Sequence, residues 1–224
     1  MYKFWERVHT FDFDYEKMLL AVGIDCKAIV FSLNKCMEEV YSYISTSTIK
    51  QVKLINNFNE SYGLVLVEAD GVMSIKSLDG KASIEIKTPD AVSSFCALNS
   101  KSGTEISFAT RQGVIGWCSS NDLTKMNLAD PIRLQDNTRA IKRLWLILKP
   151  PLIICIQFNT IYLYERDQHN CLCIYKSLTI EDKIQAVDLI DNTYLAYSIK
   201  GGKIIVLAAN SLEQVTVIET SLPE

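Results

Sequence analysis

Apolar and polar positions along the chain follow a recurring pattern: an apolar stretch, a tight polar or glycine turn, then a second stretch in which apolar and polar residues alternate. Five segments carry it, namely MLLAVGIDCKAIVFSL from Met18, YGLVLVEADGVMSIKSL from Tyr62, TEISFATRQGVIGWCSS from Thr104, PLIICIQFNTIYLYERD from Pro151 and TYLAYSIKGGKIIVLAA from Thr193. The last apolar residues of the second stretches, Phe31, Ile75, Trp117, Tyr164 and Val206, lie 44, 42, 47 and 42 residues apart. A period of two sends successive side chains to opposite faces of a strand, so each segment reads as a β-hairpin. The turns agree with this. Asp70-Gly71, Gln112-Gly113 and Gly201-Gly202 sit where a two-residue turn needs positive φ, which glycine adopts at little steric cost. Asp25-Cys26 and Asn159-Thr160 hold the same place in the other two segments, and Asp and Asn are the next most tolerant residues there.

Two further strand-like stretches flank each hairpin. VHTFDFD, IKQVKLI, VSSFCAL, IKRLWLIL and IQAVDLI precede it, and EEVYSYI, KASIEIK, LTKMNL, CLCIYKS and EQVTVIE follow it. Four strands in each of five units predict twenty strands. No stretch has a convincing helical period, nor the helical crossovers that a parallel α/β sheet needs. The expected fold is all-β, and a period of about 40 to 45 residues belongs to four-stranded propeller blades.

With strand order and period in place, the chain resembles the WD-repeat β-propellers over nearly all of its 224 residues. The family's second strand typically ends in Trp-Asp, and Trp117-Cys118 in GVIGWCSS is the nearest approach here. No unit carries the family's Gly-His dipeptide, so the likeness is to a divergent member. The expectation is one propeller domain, 1–224, of four-stranded antiparallel blades. Five are visible, at about 7–45, 49–88, 92–129, 141–179 and 184–220, with 1–6 as a closing strand. A different barrel or sandwich with regular hairpins is the structural alternative. The family usually has seven blades, so the resemblance raises an open or truncated ring as one expectation. Three readings follow: the N-terminal part of a longer protein, an open ring that a partner completes, or a closed ring of five whose bottom is covered by the first residues. An open ring would expose an edge strand whose backbone groups a partner strand can pair by β-augmentation.

Composition narrows the class. With 48% hydrophobic and 22% charged residues the chain is neither a disordered tail nor a membrane protein. Its 23 basic and 26 acidic residues leave a net charge of −3, which argues against bulk binding to nucleic acid. Seven scattered cysteines, Cys26, Cys36, Cys96, Cys118, Cys155, Cys171 and Cys173, read as free thiols in a reducing compartment. Cys171 and Cys173 form the one close pair, and with just two histidines, His9 and His169, the ligands for a zinc site are too few. No signal peptide or spanning helix is visible, so a cytoplasmic or nuclear protein is expected.

The sequence carries no G-x-S-x-G elbow, H-E-x-x-H, P-loop or dinucleotide turn. His9, in the first strand, reads as a packing or hydrogen-bonding residue, and His169 as a solvated loop residue. Asp12 and Asp14 could share a face, but without a base partner they read as solvated or turn-bonding. No enzymatic activity, cofactor or metal is expected. Arg133, Arg139, Lys142 and Arg143 form a basic cluster between the third and fourth units, with Asp130 and Asp136 interspersed. Trp5 and Trp145 are candidate anchors, since Trp and Arg dominate interface hot spots. Trp117 reads as core. Tyr41 and Tyr43 share a face of an outer strand, with exposed hydroxyls. The expected function is a non-catalytic scaffold for protein–protein interaction, a propeller subunit or N-terminal propeller module of an intracellular multiprotein complex. Its partners are other protein subunits, which would complete an open edge. The alternative is a nucleic-acid- or phosphate-associated propeller that uses the basic 133–143 connection.

Overall fold

Strands joined by short connections pair with their neighbours in chain order, and each repeat unit folds in that way. The computed structural model describes residues 7–34, 36–58, 61–86, 88–100, 103–120, 127–128, 132–133, 141–167 and 171–219. They form five antiparallel sheets. The first contains β1 (Val8–Asp14), β2 (Leu19–Ile24), β3 (Lys27–Ser32) and β4 (Glu38–Ile44). The second contains β5 (Ile49–Phe58), β6 (Ser61–Glu68), β7 (Met73–Ser77) and β8 (Ser83–Ile86). In the third, β9 (Val92–Ser100), β10 (Gly103–Thr110) and β11 (Val114–Ser120) are joined by the short β12 (Asn127–Leu128) and β13 (Ile132–Arg133). The fourth contains β14 (Ile141–Leu148), β15 (Pro151–Gln157), β16 (Thr160–Arg166) and β17 (Leu172–Thr179). The fifth contains β18 (Ala186–Ile190), β19 (Tyr194–Ile199), β20 (Lys203–Ala208) and β21 (Gln214–Glu219).

The third sheet departs from four strands because its outer strand is split. Leu128 pairs with Cys118, whereas Ile132 pairs with Ile115, so the register slips by one residue between β12 and β13. The sheet therefore runs to Arg133. Of the expected strand LTKMNL, Asn127 and Leu128 pair as expected and 123–126 lie outside the described residues. The expected closing strand at 1–6 lies outside them too.

Loop length in the hairpins corrects the expectation of uniform two-residue turns. Ile24 pairs with Lys27 and Gln157 with Thr160, so two-residue turns occur in the first and fourth sheets, which lack a turn glycine. Asp25 (φ 45°) supplies the left-handed residue in one, and Phe158 (φ 57°), not Asn159, supplies it in the other. Where glycine is present the loop is longer: Ile199 pairs with Lys203, and the Glu68 N–H donates to the Val72 carbonyl, leaving three residues between. Gly71 (φ 93°) and Gly202 (φ 74°) end these loops, the position where a three-residue hairpin requires a left-handed residue.

The turns also anchor the chain's entry into the next unit. The carbonyls of Asp25, Gly71 and Asn159 accept the N–H groups of Ile49, Val92 and Ile180 at 2.6, 3.1 and 2.9 Å. Each donor belongs to a buried apolar residue, so one bond fixes the connection and satisfies a backbone group that would otherwise be buried unpaired. The Asn159 side chain adds a second bond, from Nδ2 to the Ile180 carbonyl at 2.6 Å.

The chain divides into two compact units. The first comprises Met1–Val92, Ala97–Ile106 and Cys118–Leu128, and the second comprises Ser93–Cys96, Ser107–Trp117 and Ala129–Glu224. In the first unit, Ala21, Ala28 and Val30 pack against Ile49, Val52, Leu54, Leu64 and Leu66 of the second sheet. Gly23 makes that approach close, because a Cβ there would lie 2.6 Å from Thr10 Cγ2 and 3.2 Å from Ile49 Cγ2. In the second unit, Ile154, Ile156, Ile161 and Leu163 of the fourth sheet pack with Leu195, Tyr197, Ile205 and Leu207 of the fifth. The central strands β3, β6 and β15 are buried on both faces, as with Ala28 to Phe31 of β3, which explains their continuous apolar runs, whereas β19 and β20 of the fifth sheet are buried on one face only.

Candidate functional site

The polar residues of the first strand serve the fold. The Asp12 carboxylate accepts the Lys53 ammonium at 2.7 Å through Oδ1 and the Leu54 N–H at 2.8 Å through Oδ2, which ties β1 to β5. Asp14 Oδ1 accepts the N–H groups of Glu16 and Lys17, a turn-bonding role. His9 Nε2 lies 3.0 Å from Asp25 Oδ1, so its hydrogen-bonding partner is the turn residue of its own sheet. None of the three carboxylates has been placed with a nucleophile in these contacts.

Tyr41 and Tyr43 share a face as expected, but they are half-buried against the first unit's core. Burial, then the charge of Glu68 and a hydrogen bond to it, pushes the Tyr43 hydroxyl above its ordinary range. Lys76 Nζ stands 4.5 Å above the Tyr43 ring, an attraction between ammonium and π face. Both side chains thus lean on the first unit's core, and the Tyr43 hydroxyl is engaged by Glu68.

Cys26, Cys36, Cys96, Cys155, Cys171 and Cys173 are free thiols. Burial, then the charges of Glu165 and Asp167, raises the Cys173 pKa and keeps it a thiol, a poor nucleophile and metal ligand. Among the described residues no group of three His, Cys, Asp or Glu side chains is placed to hold a metal ion.

The candidate interaction residues are described in part. Trp5, Arg139 and His169 lie outside the described residues. Arg133 belongs to β13 and Lys142 to β14, so the cluster read as a connection begins and ends in strands. Arg143 is exposed on β14 opposite Ile156. Trp145, opposite Ile154, is half-buried against the core shared by the fourth and fifth sheets. Its ring is thus engaged in sheet-to-sheet packing. Trp117 is buried at 2% exposure, in keeping with a core role.

One cleft was not anticipated. A cavity of about 380 Å³ in the first unit is lined by Asp70, Gly71, Glu85, Thr88, Asp90 and neighbouring apolar residues. It forms where Gly71 lies against Ala91, with no room for a Cβ between them. Asp70 Oδ1 is taken up by the Val72 N–H and the Thr88 hydroxyl donates to the Asp90 carbonyl, both within the loops that frame the cleft. The sequence marks Asp70-Gly71 as a turn, whereas the approach of the 88–91 segment is a tertiary event.

No family model matches the sequence, and no curated protein matches it. Among solved structures, the β-propeller domain of Cps50 (Swd1) from Myceliophteria thermophila aligns at a TM-score of 0.71 and 10% identity, over 97% of this chain and 74% of that one. No helix among the described residues is long and apolar enough to cross a membrane. In agreement with the resemblance to WD-repeat propellers, the chain is an all-β protein that folds as a β-propeller of four-stranded antiparallel blades.

Proposed function

We propose that this propeller is a non-catalytic scaffold, a subunit or module of an intracellular multiprotein assembly. The observation that carries the reading is the presentation of large apolar side chains on regular strands. Phe11 is 70% exposed and Ile44 75% exposed on one face of the first sheet, and Ile174, Tyr175, Val215 and Val217 are exposed on β17 and β21. Rigid strands lose little entropy when such groups are covered, and burial of apolar surface then favours association. Similarity in fold to the Cps50 (Swd1) propeller domain supports the reading. The free thiols at Cys26, Cys36, Cys96, Cys155, Cys171 and Cys173 accord with a reducing compartment, cytoplasmic or nuclear.

Purification of the tagged chain from its native cells tests the proposal. A stoichiometric protein partner is expected, with slower hydrogen exchange on specific strands in the complex. Recovery as a lone monomer under all conditions, with no protected strand, would overturn it.

A further inference from the structure

The first and fifth sheets share a register that leads to one surface. In the first sheet Asp12, Ala21, Val30 and Tyr41 lie opposite one another across the four strands, three pairs in from the hairpin's closing pair. In the fifth sheet the same count gives Asp188, Ala196, Val206 and Thr216. The adjacent row holds Gly23, Ala28 and Tyr43 in one sheet and Ser198, Ile204 and Ile218 in the other. On the first three strands the two faces match in chemistry: a carboxylate on the first strand and small or β-branched residues on the next two, while the fourth strand carries Tyr41 and Tyr43 in one sheet and Thr216 and Ile218 in the other.

Their environments differ. In the first unit this face is covered by the second sheet: Ala21, Ala28 and Val30 are each at 0% exposure, and Asp12 takes the Lys53 ammonium and the Leu54 N–H. On the fifth sheet Asp188 is exposed, Ala196, Ile204 and Val206 are half-exposed, and Tyr194 and Ile218 are 41% and 49% exposed. The sheet's opposite face, with Leu195, Tyr197, Ile205 and Leu207, is the one buried in the second unit's core.

We propose that this face of the fifth sheet docks a β-sheet of a partner protein. The partner's leading strand lays alternating apolar residues over Ala196, Ile204 and Val206 and delivers a lysine ammonium and a backbone N–H to Asp188. The model for that strand is IKQVKL, Ile49 to Leu54, which meets the equivalent face in the first unit. Charge complementarity sets the occupant. The matched rows of the face carry no cation, so a second copy docked through the same face would leave Asp188 without its ammonium. This inference rests on the scaffold reading and specifies the surface and partner chemistry within it.

The test uses the full chain in its native cells, with photoreactive benzoylphenylalanine in place of Tyr194. The expected adduct is to a peptide of another protein, with alternating apolar residues and a lysine that a zero-length carbodiimide joins to Asp188. Asp188→Lys should lower the adduct yield by about tenfold or more, the loss expected for a charge-assisted bond replaced by repulsion. Its far-ultraviolet circular dichroism should be unchanged, since Asp188 is exposed. An adduct to a second copy of this chain, to a helical segment or to nucleic acid, a yield indifferent to Asp188→Lys, or no adduct would each overturn the proposal. If the native complex still purifies in those cases, the scaffold reading stands and this face alone is wrong; if no complex purifies, the scaffold reading has failed.

Discussion

Gly23 sets the spacing of the first two sheets by what it lacks. A methyl there would press on Thr10 and Ile49 in a fully packed region. Gly23→Ala is expected to lower stability by about 1–3 kcal/mol, read from urea unfolding, because the crowding exceeds any gain in strand propensity. Tyr164 presents the opposite case. It is fully buried, and its hydroxyl has no hydrogen-bond partner among the described residues. Tyr164→Phe keeps the ring and removes the stranded hydroxyl, so stability should be unchanged or rise by up to about 1 kcal/mol. Burial also raises the pKa of both Tyr164 and Cys155 above their ordinary 10.0 and 9.0. Above those values the unfolded chain has shed protons that the folded chain still holds, so stability is complete below pH 9 and falls as pH rises further. Urea midpoints measured from neutral to alkaline pH should show this decline, and it should be shallower in a Cys155→Ala, Tyr164→Phe double variant.

At the scale of elements, hairpins were legible because alternation and turn residues are local signals. Loop length was less legible. Both two- and three-residue loops need a residue at positive φ, so Asp70-Gly71 and Gly201-Gly202 were compatible with either, and the pairing of Ile199 with Lys203 decided it. Phe158 takes positive φ in preference to Asn159, although Asn is the more tolerant residue, because the Asn159 amide is committed to Ile180. Asn159→Ala is therefore expected to cost about 1 kcal/mol through the lost bond to the Ile180 carbonyl, measured as a lower thermal midpoint. The split of the third sheet's outer strand was hidden for a related reason. A two-residue pairing such as Ile132 and Arg133 with Ile115 and Val114 is too short to carry a period.

For the molecule as a whole, binding to partners through apolar strands and binding to nucleic acid through Arg143 and its neighbours differ in salt dependence. Raising NaCl from about 0.1 to 1 M shortens the Debye length from about 10 to 3 Å. A partner held mainly by buried apolar surface should stay bound through that range in a pull-down. A phosphate-based contact would weaken by about a thousandfold or more, and such a loss would favour the nucleic-acid reading. Of the candidate anchors, Trp145 is half-buried and leans on the core of the fourth and fifth sheets.

The sequence by itself determined the five hairpin units, their period and the strands long enough to carry it, because side-chain alternation and turn preferences act over a few residues. Only the tertiary structure decided which sheet faces are covered. Asp12 and Asp188 occupy the same register position, each opposite an alanine, and nothing in their own strands distinguishes them. One is bonded to Lys53 and Leu54 beneath a second sheet, and the other faces solvent. Burial depends on what packs against a face, and that neighbour lies tens of residues away in the chain or in another molecule.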